Sequence, residues 1–182
     1  WCIISRDGGK SFKYLSTIAD VQTHPIDHAA EGYCEADLLH LGGNHLIAVM
    51  RTQGHEVYSP LYVNHSHDGG VTWGKPEKMN DFGVFPRLVR LTNGALVCAS
   101  GKYHNFLLFS DDNGYTWSKP FVVAENRHPW DKGPSGYPTL IEVAPNEILL
   151  VYDDTEDRAS DFAKNPHDRR IVYIHRYRIH ND

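Results

Sequence analysis

A phenol, a carboxylate and several cations stand at matching places in this sequence. The stretches EADLLHLGGNHLIAVMR (Glu35–Arg51), FPRLVRLTNGALVCASG (Phe85–Gly101) and YPTLIEVAPNEILLVYD (Tyr137–Asp153) align without gaps, so Glu35, Phe85 and Tyr137 share one column. A phenol with an ordinary pKa of ~10 is a poor nucleophile at neutral pH. A carboxylate within hydrogen-bond reach can take its proton as attack proceeds. Arg51 closes the Glu35 repeat, Arg87 follows Phe85-Pro86, Lys102 follows Gly101, and His55 lies just past Arg51. A planar guanidinium suits a carboxylate because its fork donates two hydrogen bonds at once. Each residue also has a purely structural alternative. Glu35 could accept backbone N–H groups at a strand start, and Tyr137 could be a buried ring with a wet hydroxyl. Arg51 and Arg87 could be ion-pair partners, and Lys102 a solvated cation.

The elements that must position these residues are β-hairpins. Each aligned stretch is an apolar strand, a turn (Gly42–Asn44, Thr92–Gly94 or Ala144–Asn146) and a second apolar strand. A shorter phrase recurs as SRDGGKSF (Ser5–Phe12), SHDGGVTW (Ser66–Trp73) and SDDNGYTW (Ser110–Trp117). Its Asp can accept backbone N–H groups two residues on, and its Gly takes positive φ. Its closing aromatic can seal the turn against a neighbouring sheet. These residues read as scaffold rather than catalysts. In the first two units the phrase follows a third strand (Leu61–His65, Phe106–Phe109) and precedes a fourth (Glu77–Met79, Phe121–Val123). Four antiparallel strands repeated along the chain make the unit of a β-propeller blade.

The fold expectation is therefore all-β, with about half a propeller present. Residues 1–20 end one blade, 33–81 and 82–124 are blades, and 135–179 form a last blade with a polar insertion at 155–170. A propeller needs further blades to close, so either the rest of a longer protein or a second copy completes the ring.

Bulk composition excludes several classes of function. A formal charge of −5 with no basic stripe argues against nucleic acid. No apolar run approaches the ~20 residues that cross a bilayer. Three cysteines are too few for a disulfide framework. Cys2 and Cys98 read as small buried hydrophobes, and Cys34 lies beside Glu35. The twelve histidines show no ligand spacing, so neither a metal nor another cofactor is expected. Asn64-His65-Ser66 is a glycosylation sequon. The compartment is not read from the sequence, with a secreted or periplasmic setting preferred.

The three short phrases resemble the Asp-box (bacterial neuraminidase) repeats of sialidases and sialidase-like six-bladed propellers, and the resemblance runs from Trp1 to Ile179. It implies a glycan substrate or ligand and, in the enzymes, a Tyr nucleophile, a Glu that deprotonates it, three clamp arginines and an Asp acid/base. The context Gly-Tyr-Cys-Glu35 resembles that of the activating Glu, Ser135-Gly136-Tyr137 that of the nucleophile, and Arg51 that of one clamp arginine. The third clamp position, near His104-Asn105-Phe106-Leu107, holds no arginine. The remaining arginine and the Asp acid would lie in earlier blades. The resemblance thus implies part of a sialidase-like glycosidase acting on a terminal, acidic sugar. Two alternatives stand: a non-catalytic glycan- or protein-binding propeller, and a lyase or non-sialic glycosidase using His55 and Tyr137.

Overall fold

The computed structural model describes residues 1–26, 32–52, 59–101, 104–125, 136–155 and 170–180. Among the described residues it contains thirteen strands and no helix. β1 (Cys2–Ile4) pairs with β2 (Lys13–Ser16). Two four-stranded antiparallel sheets follow: β3 (Tyr33–Gly42), β4 (His45–Thr52), β5 (Leu61–Ser66) and β6 (Glu77–Asn80), then β7 (Val84–Arg90), β8 (Leu96–Gly101), β9 (His104–Ser110) and β10 (Phe121–Glu125). The last sheet holds β11 (Thr139–Ala144), β12 (Glu147–Thr155) and β13 (Arg170–Arg178). Each full sheet is a meander in chain order, as a propeller blade is. The first strands of successive sheets, β3, β7 and β11, lie against one another. That arrangement makes them the inner strands of adjacent blades.

Apolar faces between sheets hold the blades together. Ile47, Val49, Leu96 and Val63 pack between the second and third sheets, and Val97, Leu107, Ile148, Leu150 and Tyr152 between the third and last. Alternation decides which side chains enter, since strand residues point to opposite faces in turn. Turns at one end are also stitched across blades. The Thr92 N–H and hydroxyl donate to Glu142, and an Arg90 guanidinium N–H donates to the Leu41 carbonyl.

The Asp-box turns explain their own sequence. In each, the Ser hydroxyl donates to the Asp, the Gly N–H donates to the Ser hydroxyl, and the Asp accepts both N–H and O–H of the later Ser or Thr. At the second box the last two distances are 2.8 and 2.6 Å. The Asp reaches four residues on, not two, because it closes the whole loop rather than a single Asx turn. The Ser11 hydroxyl beside Asp7 and the Thr72 hydroxyl beside Asp68 draw both carboxyls down to about 2. At Asp112 burial pulls upward, but Thr116 and Ser110 outweigh it and the group again falls to about 2. Gly114, at φ +89, leaves room for the Ile47 side chain of the previous blade. Trp73 donates its indole N–H to the Ser16 hydroxyl and so seals the second box onto the first sheet. Phe12, by contrast, is 61% exposed.

Two further expectations are corrected. Cys98 is buried, but Cys2 is only partly so, because its two-stranded sheet has one covered face. The sequon Asn64 is buried, and its Nδ2 donates to the carbonyls of Ile18 and Gly74 at 2.7 and 2.9 Å. In the folded chain this amide is a structural tie between sheets and cannot present itself for glycosylation.

Candidate functional site

The inner strands begin irregularly at the column where sequence alignment placed the candidate residues. β3 carries a register shift between Cys34 and Asp37, and β7 carries one between Val84 and Arg87. Glu35 (φ +45) and Phe85 (φ +48) sit in these bulges in the left-handed region. A bulge leaves its residue outside the ladder and re-aims the side chain, and left-handed geometry is costly for a residue with a Cβ. Such strain persists only where surrounding contacts hold it. Here those contacts run from one blade to the next.

Glu35 is the hub. Its Oε2 lies 2.8 Å from Arg51 Nε, with side-chain exposures of 23% and 12%. The same oxygen accepts the Phe85 N–H at 2.8 Å. Phe85 then meets Tyr137, ring edge to ring face, with centroids 5.0 Å apart and planes at 73°. The Arg87 guanidinium stands 4.1 Å from the Phe85 ring centroid, a cation–π contact. Arg87 Nη1 also lies 3.5 Å from Asp37 Oδ1, while Asp37 Oδ2 accepts the Leu88 N–H. Glu35, Arg51, Phe85, Arg87 and Tyr137 thus form one continuous contact path across three blades. Phe85 is the bridge between the carboxylate and the phenol, which make no direct hydrogen bond among the described residues.

Tyr137 is 51% exposed, so it is not the buried ring that the structural alternative required. Its N–H donates to Asp153 Oδ1 at 3.2 Å, which anchors the backbone at the start of the last sheet. Gly136, just before it, has φ +45. A Cβ there would lie 2.8 Å from Asn105 Cγ and closer to its amide atoms. Asn105 is buried, and its Oδ1 has no hydrogen-bond partner among the described residues. Within the stretch that lacks the third arginine, Asn105 therefore supplies a neutral amide wedged beneath the tyrosine's backbone. His55 and Lys102 lie outside the described residues.

For both arginines the ion-pair alternative describes the geometry: each guanidinium faces a carboxylate of β3. Sequence reasoning missed Asp37 and the bridging role of Phe85. Asp37 lies two residues beyond Glu35, but the bulge between Cys34 and Asp37 interrupts the alternation that would have marked it in the sequence. Among the described residues no group of three or more His, Cys, Asp or Glu side chains is placed to hold a metal ion.

Comparison with known proteins places this architecture. Residues 1–148 match the model of the BNR repeat-like domain. No curated protein matches the sequence. Among solved structures, the Hadza microbial sialidase Hz136 superposes at TM-score 0.60 with 18% identity over 95% of this chain. The NanB sialidase of Streptococcus pneumoniae gives 0.59 with 17% identity over 94%. The xylan β-1,4-xylosidase of Bacillus halodurans C-125 gives 0.59 with 12% identity over 93%. The chain spans 37%, 25% and 33% of those three proteins' lengths, so it corresponds to a part of each. At these identities the likeness establishes the fold, a sialidase-like propeller of which several blades are present. With the family match running from the first residue to Ile148, the chain belongs to the BNR repeat-like domain family.

Proposed function

We propose that this chain is part of a sialidase-type glycoside hydrolase acting on a terminal, acidic sugar. Tyr137 is the nucleophile. In the substrate complex, where Glu35 must come within hydrogen-bond reach of the phenol, the phenol oxygen attacks the anomeric carbon while the phenolic proton passes to Glu35, and the aglycone departs with a proton from an acid on blades outside this chain. Water then releases the sugar from the tyrosine. A neutral phenol avoids the repulsion that an anionic carboxylate would meet against an acidic sugar, and sialidases depart from the two-carboxylate pattern in this way. Arg51 holds Glu35 through Oε2, and Arg87, stacked on the Phe85 ring that also meets Tyr137, is a cation for the sugar carboxylate. His55 and Lys102 remain sequence candidates for substrate contact.

The observation that carries the reading is the contact path Glu35–Phe85–Tyr137, which draws a carboxylate and an exposed phenol from distant parts of the sequence to one end of adjacent inner strands. Hydrolysis of a fluorogenic aryl α-sialoside by the complete propeller, of which this chain is proposed to be a part, tests it. Tyr137→Phe abolishes turnover with sugar affinity little changed, and Glu35→Gln lowers kcat by about 10²–10⁴, the usual worth of a general base. Full turnover by Tyr137→Phe would refute the mechanism.

A second reading, glycan binding without turnover, is favoured by the engagement of both arginines with carboxylates of β3. It predicts sugar binding by the wild type and no hydrolysis of any aryl glycoside.

A further inference from the structure

Away from the inner strands, three imidazoles and a phenol gather where the outer turns of two blades meet. His45 opens β4, His65 stands near the end of β5, His67 lies in the second Asp-box turn, and Tyr115 lies in the third. His45 Nε2 and His65 Nδ1 are 3.1 Å apart, as are the Tyr115 hydroxyl and His67 Nε2. The rings stack in register with these bonds. His65 lies on Tyr115 with centroids 4.4 Å apart and planes at 16°, and His45 lies 4.4 Å from His67 at 31°. A cavity of about 460 Å³, lined by His65, His67, Trp73, Lys75, Glu77 and Tyr115 among others, opens beside them and gives protons access.

These contacts depend on proton count. An N···N bond between imidazoles needs one N–H and one lone pair, and two fully protonated rings offer only donors. Acid therefore removes the His45–His65 bond, which lies within one blade and braces the His65 ring against Tyr115 of the next.

We propose that His45, His65, His67 and Tyr115 form an acid-released clasp that joins turn 66–73 of one blade to turn 110–117 of the next. The surrounding charges set its working range. Burial, then His67, then Arg90 from β7 hold His45 below its usual 6.5. Burial holds His65 below 6.5 as well; there His45 and His67 add to the effect, while the Gly114 backbone and Glu77 from β6 oppose it. Asp68 and Lys75 line the same cavity with opposite charge. A histidine whose folded-state pKa is depressed resists protonation in the folded state. The clasp's stabilisation is thus complete above pH ~6.5 and is lost as pH falls through the folded values.

NMR titration of the imidazoles, with amide hydrogen exchange at pH 7 and pH 5 corrected for the intrinsic rate, tests the clasp in the wild-type chain. His45 and His65 should titrate below 6.5, and exchange in turn 110–117 should speed by about tenfold for each unit of depression. His45→Gln, which keeps a hydrogen-bonding head but carries no titrating proton, should flatten that response. Tyr115→Phe should loosen the turn already at pH 7. The clasp is overturned if both rings titrate at the ordinary value, or if the turn is equally protected at both pH values. Acid loosening of His45→Gln as large as in the wild type would overturn it too, and so would unchanged protection in Tyr115→Phe. The wild-type titration decides the matter even if a variant does not fold.

Discussion

Gly136→Ala is the sharpest probe of how the tyrosine is held. Two costs follow from the geometry. Gly136 has φ +45, where an L-residue pays about 1–2 kcal/mol. The new Cβ would also fall 2.7 Å from Asn105 Nδ2 and 2.8 Å from its Cγ, so the buried amide must move. Overpacking of that kind costs about 1–3 kcal/mol. Together the substitution should remove about 2–5 kcal/mol, read as a fall of about 4–20 °C in Tm for a chain of this length. A double-mutant cycle separates the terms. Asn105→Ala vacates the space, so Gly136→Ala in that background should cost only its backbone share. Urea unfolding of the four proteins measures both numbers. A cost below about 0.5 kcal/mol for Gly136→Ala, or an equal cost in both backgrounds, would refute the wedge. The same variants should shift the Tyr137 ring off Phe85, visible as loss of ring-to-ring NMR cross-peaks between the two.

Arg51→Met leaves the Glu35 carboxylate, 23% exposed, without its partner and should cost about 2–3 kcal/mol in urea unfolding. Adding Glu35→Gln should recover part of that loss, and purely additive costs would count against the pair. The Asp-box carboxyls supply an acid dependence of fixed sign. Asp7 and Asp68 fall to about 2 in the folded chain, whereas an unfolded Asp titrates near ~3.9. Their contribution is therefore complete above pH ~4 and is lost as pH falls toward 2. Asp68→Asn should flatten the decline of Tm across that window, and an unchanged slope would remove the box hydrogen bonds as its cause.

The sequence exposed what is governed locally. Each Asp-box turn closes within eight residues through hydrogen bonds among its own Ser, Asp, Gly and closing Ser or Thr, so the phrase predicts its own loop geometry wherever it stands. The hairpins announce themselves in the same way, by apolar alternation around Gly43–Asn44 and Pro145–Asn146. Sequence alignment also put Glu35, Phe85 and Tyr137 in one column, and that column is real because inner strands of successive blades repeat the same path. Local patterns say nothing, however, about which partner a side chain meets on the next blade. Glu35 and Phe85 take left-handed backbone with no Gly or Asn to signal it, since the strain is carried by a hydrogen bond from one blade to the other. Arg51 and Arg87 read equally well as clamps or ion-pair partners until Glu35 and Asp37 are seen opposite them. The spacing puts His65 and His67 on one strand face, but it gives no sign of His45 or of their common partner, Tyr115, which belongs to another repeat. Repetition thus makes the scaffold legible, and chemistry is written where the repeats differ. At the shared inner column one blade presents a carboxylate, the next an aromatic spacer and the third a phenol, so no single repeat could have performed the reaction proposed for all three.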